Sequence, residues 1–201
     1  PELWKVKLPD TETLLDDCAA ILTESRCAEF CADLCAEALR RGIPVIVDVD
    51  RAMPMQGGLL DASSHLGFSN EPLQETAGVA DDVGALKRVA KLTKAFLAVT
   101  RGPRGTIWLD ENQAIQETPA FPVDAVDSLG AGDVFHGAFA LALTEKQELR
   151  QALRFASAAA ALKCTRFGGA FAAPQRIEVE ELLAQTQDAV ARPASPSGDL
   201  L

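Results

Sequence analysis

Two short runs of β-branched and apolar residues, IPVIVDVD at 43–50 and AFLAVT at 95–100, set the tightest limits on how this chain can fold. Each is short and without polar alternation, so each reads as a buried strand. Helical sequences lie between and after them. Residues 26–41, RCAEFCADLCAEALRR, repeat apolar positions at helical spacing, and Gly42 is placed to close that helix. HLGFS at 65–69 is a weaker strand, and DDVGALKRVAKLT at 81–93 an amphipathic helix with an acidic start. After AFLAVT, the turn RGPRG at 101–105 and the strand TIWLD at 106–110 predict a hairpin. Helices follow at 131–143, at about 147–164 and at 179–190, the second rich in alanine and broken by Gly168 and Gly169. Strands alternating with helices, then a helical end, predict an α/β fold with a largely parallel sheet. In such folds ligands bind at the carboxyl ends of the strands.

A length of 201 residues suits one domain. Nineteen Lys and Arg against 29 Asp and Glu give a net charge of −10, which argues against a broad nucleic-acid or anionic-membrane surface. A local pocket for a nucleotide remains compatible with that charge. No apolar run approaches the ~20 residues of a membrane span. The start, PELWKVKLPD, lacks the apolar core of a signal peptide. It also lacks Met, so the chain is expected to be part of a longer one. The odd count of five cysteines without C-x-x-C spacing fits reduced thiols and a cytoplasmic location. Cys27, Cys31 and Cys35 form one helical stripe, readable as a metal or redox site or as a packed face. No His or further Cys completes a ligand set, so the packed face is expected.

AVDSLGAGDVFHGAFALAL, 125–143, sets Asp133 behind two glycines where a helix begins. A helix start exposes unpaired amides and partial positive charge. Glycine lets a phosphate approach that backbone, so Gly130, Ala131 and Gly132 read as an anion cradle. Asp133 beside it could take a proton from a hydroxyl attacking phosphorus. The alternative is a capped helix with glycines in a tight loop, and for a lone G-A-G-D that plainer reading would win. A Walker Gly-Lys-Ser/Thr is absent, and Phe135 stands where a dinucleotide fingerprint needs glycine, which disfavours hydride transfer.

DSLGAGDVFHGAF resembles the C-terminal signature of the ribokinase-like, or PfkB, family of sugar kinases. AVTRGPRGTIWL is similar to that family's glycine turn near the ATP phosphates. ALRFASAAAALKCTRFGGAFAAP resembles its segment along the adenine and the monovalent-cation loop, and RRGIPVIVDVDR its central strand. Order and spacing agree from about Ala20 to Leu183. The resemblance implies a three-layer α/β/α ribokinase-like fold over residues 1–190, the ATP-binding half of one domain. Its N-terminal part and lid would be incomplete, and a mobile tail would occupy 191–201. The family's Gly-Gly sugar motif and substrate-binding Asp are not visible in this sequence.

The same resemblance implies roles by position. Asp133 would be the catalytic base, with Gly130, Ala131 and Gly132 as the anion hole. Thr100 to Gly105, Gly102 and Gly105 foremost, would line the ATP phosphates and ribose, and Ser157 would lie near the adenine. Asp127, the carbonyl of Leu129 and carbonyls around Lys163, Arg166 and Gly168 would hold a monovalent cation such as K⁺. Lys163 and Arg166 would act through backbone. Asp127 also reads as a turn carboxylate satisfied by nearby amides. The family's Asn-x-x-Glu, which organises Mg²⁺, keeps Asn70 but has Leu73 for the Glu; Glu71 or Glu75 could substitute, or the phosphates could hold the ion. Family members resembling ketohexokinase also lose that motif.

His136, one helical turn after Asp133, reads as a structural residue ahead of a substrate contact, His65 as packing ahead of a ligand, Trp108 as core or edge packing ahead of an adenine stack, and Arg51 as either an exposed loop residue or a contact to an acidic sugar. The implied activity is phosphoryl transfer from ATP to a sugar hydroxyl. The alternatives are a nucleoside acceptor and a catalytically weak nucleotide- or sugar-binding regulatory protein. The implied partners are small molecules, and the family often forms homodimers through the lid.

Overall fold

The computed structural model describes residues 8–191, with side chains as far as 186. One six-stranded sheet runs in chain order: β1 (Ile21–Glu24), β2 (Val45–Val49), β3 (His65–Ser69), β4 (Phe96–Thr100), β5 (Thr106–Leu109) and β6 (Ile115–Thr118). β1 to β4 are mutually parallel, and β5 and β6 add on antiparallel. Consecutive parallel strands joined by right-handed crossovers place their connections on one face. That face is covered by α2 (Ala28–Arg40), α3 (Gly58–Asp61), α4 (Asn70–Ala77) and α5 (Asp82–Val89), which bury Val45, Val47, Val49, Leu66, Phe68, Leu97 and Val99.

The alternate residues of the same strands face α6 (Ala131–Thr144) and α7 (Leu149–Cys164). Ile46, Ala98 and Trp108 join Phe135, Phe139 and the small residues of α7 in this second core. α8 (Arg176–Ala191) packs on α7 through Val179. The outcome is three layers, helices on both sides of a mostly parallel sheet. None of the described helices is long and apolar enough to cross a membrane.

Several elements go beyond the sequence reading: β1, β6, α3, α4 and the short α1 (Thr11–Leu15). β1 is an edge strand with Leu22 exposed. The helix predicted at 81–93 ends at Val89, and the last helix starts earlier, at Arg176. Cys31 and Cys35 are buried in the first core, whereas Cys27 is the exposed N-cap of α2. The predicted tail lies, from residue 192 onward, outside the described residues.

Candidate active site

Because β1 to β4 are parallel, the ends of β2, β3 and β4 share one edge of the sheet. The start of α6 is tied to this edge by His136. Its ring is buried, with Nδ1 3.0 Å from the Gly132 carbonyl and 3.2 Å from Asp48 Oδ2. Both neighbours are acceptors, so Nδ1 carries the proton and donates. Asp48 and Gly67 are paired in register on β2 and β3. A Cβ at Gly67 would lie 2.3 Å from His136 Nε2, so only glycine admits the ring. His136 is thus a packing residue that also holds the first turn of α6 against the sheet.

That first turn is uncapped. Gly130 is the N-cap at φ 79°, with no side-chain acceptor for the helix amides. The Ala131 amide donates to the Ser128 carbonyl at 3.1 Å, and the Val134 amide to the Gly130 carbonyl at 3.0 Å. The intervening amides of Gly132 and Asp133 belong to the orphan donors of a helix start. Gly132 is exposed, and a Cβ there would meet nothing within 4 Å. Asp133 is exposed on the same turn. Open space, free amides and the helix dipole can hold an anion, with a carboxylate beside it able to accept a proton.

The loop after α7 closes over the other side of this turn. A Cβ at Gly130 would lie 2.5 Å from the Ala170 amide nitrogen, a contact that together with the positive φ requires glycine. The amides of Val126 and Asp127 donate to the Cys164 carbonyl at 2.8 and 3.1 Å. Asp127 accepts from the amides of Leu129 at 2.9 Å, Gly168 at 3.2 Å and Gly169 at 3.3 Å. Lys163, expected to act through its backbone, also has an engaged side chain. Its side chain is wholly buried, its ammonium sits 3.0 Å from Asp127 Oδ2, and it donates to the Asp127 carbonyl at 2.7 Å. The Leu129 amide first, then Lys163 and the loop amides, hold the Asp127 carboxyl well below the usual carboxylate range. The Arg166 guanidinium turns away to pair with Glu178, while its amide donates to the Lys163 carbonyl at 3.0 Å.

On the sheet side, Thr100 ends β4 and its hydroxyl donates to the Phe68 carbonyl at 3.3 Å. The turn that follows is closed by the Arg101 amide on the Gly105 carbonyl at 2.8 Å and the Gly105 amide on the Gly102 carbonyl at 3.0 Å. Gly102 is exposed at its tip; Gly105 is buried against β6. Ser157 is buried within α7, six residues before Lys163 and so ~9 Å along the helix from it.

Asn70 opens α4, where its amide group and that of Gln74 both donate to Asp82 Oδ1 at the start of α5. Leu73 is fully buried in the core, and Glu71 and Glu75 are exposed. Asp82 is therefore the acid that meets Asn70, a pairing the sequence reading missed because the partners lie on separate helices. Arg51 is exposed beyond β2, and Trp108 packs in the second core with its indole donating to Thr118 Oγ1 at 3.3 Å. A groove of about 790 Å³ lies at the opposite edge, between the start of β4 and the end of β5; Trp108 lines it, and none of the candidate site residues does.

Known proteins sharpen this picture. Residues 14–176 match the pfkB family carbohydrate kinase description. The ribokinase of Bacillus subtilis (strain 168) is 34% identical over 151 residues, which are 75% of this chain and 50% of that protein. A crystal structure of a candidate ribokinase from Agrobacterium tumefaciens superimposes with a TM-score of 0.86 at 37% identity, covering 92% of this chain and 62% of the other. Arabidopsis thaliana ribokinase, solved with ribose and ATP, gives a TM-score of 0.78 at 27% identity over 90% of this chain and 61% of its own. The chain spans about half the length of the Bacillus subtilis relative. With the family description covering most of its residues and a ribokinase-like sheet carrying the G-A-G-D turn, the chain belongs to the pfkB family of carbohydrate kinases.

Proposed function

We propose that this chain provides the nucleotide-binding and catalytic half of an ATP-dependent sugar kinase. The observation that carries the reading is the uncapped start of α6, with Gly132 open and Asp133 exposed beside it. A sugar hydroxyl directed at the γ-phosphorus would give its proton to Asp133 as the new P–O bond forms and the bond from the γ-phosphorus to the bridging oxygen breaks, ADP leaving with that electron pair. The amides of Gly132 and Asp133 would hold the charge that builds on the transferred group. The turn from Thr100 to Gly105 would face the nucleotide's phosphates and ribose, and Ser157 its adenine. When bound, Mg²⁺ neutralises phosphate charge during such a transfer. Buried Leu73 cannot contribute to it, whereas Asp82, oriented by Asn70 and Gln74, presents a carboxylate suited to a hard cation or its water shell.

Buried Leu73 also motivates a second reading, a nucleotide-binding protein with little turnover. The test is ADP release from ATP and Mg²⁺ by the full-length protein, with separate panels of sugars and nucleosides. Ribose is the first acceptor to try, because the Arabidopsis neighbour is complexed with ribose. Sugar-dependent ADP release supports the kinase reading. Release with nucleosides alone moves the acceptor class, and ATP binding without acceptor-dependent turnover supports the second reading.

A further inference from the structure

We propose that Lys163 replaces the monovalent cation in this chain: its buried ammonium occupies the place beside Asp127, so the site works without added K⁺. The inference builds on the kinase reading only for where a cation would be expected. The family resemblance puts that ion among Asp127, the Leu129 carbonyl and the loop carbonyls near Lys163, Arg166 and Gly168. The residues present do not fit a second cation there.

The Asp127 carboxylate has little left to offer. Oδ1 accepts the Leu129 amide, and Oδ2 accepts the amides of Gly168 and Gly169 and faces the Lys163 ammonium at 3.0 Å. Of the carboxylate's about four lone-pair positions, those of Oδ2 are taken by these three donors, and Oδ1 keeps one. The Asp127 carbonyl is also engaged, at 2.7 Å from Nζ. A buried ammonium repels any other cation brought within a few ångströms, because little water screens the pair.

Lys163 is well placed for this task. It lies in the last turn of α7, where the helix dipole favours a positive charge. Its side chain is wholly buried, a state lysine adopts only when paired. The ammonium joins the turn at Asp127 to the end of α7, and the following loop packs Ala170 against Gly130 at the anion cradle. A tethered charge does not dissociate, so the loop stays in place at any salt composition. Lys163 is therefore a positioning residue for the cradle.

The test compares the thermal unfolding midpoint and the affinity for a non-hydrolysable ATP analogue with Mg²⁺ in KCl, NaCl and choline chloride at matched ionic strength. The full chain is used, as wild type and as Lys163→Ala. Wild type is expected to keep its midpoint within about 1 °C and its affinity within about twofold across the three salts. Lys163→Ala is expected to lose stability in choline. In KCl it should regain roughly 3–5 °C for each tenfold of K⁺ above the dissociation constant. A saturable, K⁺-specific rise in the wild-type midpoint overturns the proposal, and that arm needs no variant. A folded Lys163→Ala indifferent to K⁺ overturns it as well. Neither readout needs turnover, so failure here is distinct from failure of the kinase reading.

Discussion

α5 and α6 both begin beside an aspartate, and the two acids are put to different uses. At α5, Asp81 is the N-cap, and its Oδ1 accepts the Gly84 amide at 2.7 Å. The carboxylate satisfies an orphan donor and is spent on structure. At α6 the N-cap is Gly130, and the acid, Asp133, comes three residues later. Among the described residues no side chain caps this start, so the amides of Gly132 and Asp133 stay available to a ligand. The glycines differ in the same sense. A Cβ at Gly84 would strike Asp81 Oδ2 at 2.6 Å, whereas one at Gly132 would meet nothing within 4 Å. The place of the acid relative to the N-cap, more than its presence near a glycine, separates a structural aspartate from one free for chemistry.

Substitutions at the two starts sharpen this contrast. Asp133→Asn should lower acceptor-dependent ATP turnover by about 10²–10⁴-fold, the span of a lost general base, with the unfolding midpoint unchanged. Steady-state kinetics beside a thermal melt checks both halves. Gly132→Ala should split the two readouts in opposite directions. The added methyl projects into open space where the phosphate would approach, so turnover should fall on the order of 10-fold. Helix propensity meanwhile should raise stability by ~0.5–1 kcal/mol. At α5 the signature should be the reverse. Asp81→Ala should cost about 1 kcal/mol of stability in denaturant titration and leave turnover near wild type. An Asp81 variant that loses activity while keeping its midpoint would break the contrast.

Much of the frame was legible in the sequence, for identifiable reasons. β2, β3, β4 and β5 are short runs with buried side chains, and all four were found at or near their observed bounds. α6 and α7 carry long apolar and alanine-rich stretches that only a helix explains. β1 and β6 escaped because ILTE and IQET are short edge strands carrying an acid each and are only partly buried. α4 escaped because NEPLQETA is polar, with Pro72 in its first turn and only Leu73, Thr76 and Ala77 buried.

At the candidate site, the G-A-G-D turn announced itself by residue type. The groups around it did not, because they depend on distant contacts. The fit of His136 over Gly67 joins α6 to β3, and the pairing of Asn70 with Asp82 joins two helices. The sequence reading gives Lys163 a backbone role because its side chain is itself a cation. The burial of that side chain beside Asp127 joins the end of α7 to a turn 36 residues earlier, a contact that spacing does not reveal.

The central claim is that the open start of α6 receives a phosphoryl group. It is tested most directly by backbone amide NMR of the chain during titration with a non-hydrolysable ATP analogue and Mg²⁺, in the presence of the acceptor found to support turnover. The account predicts downfield movement of the Gly132 and Asp133 amides as each gains a charged acceptor, while the capped Gly84 amide stays fixed. Saturation by nucleotide and acceptor with the Gly132 and Asp133 resonances unmoved would contradict it.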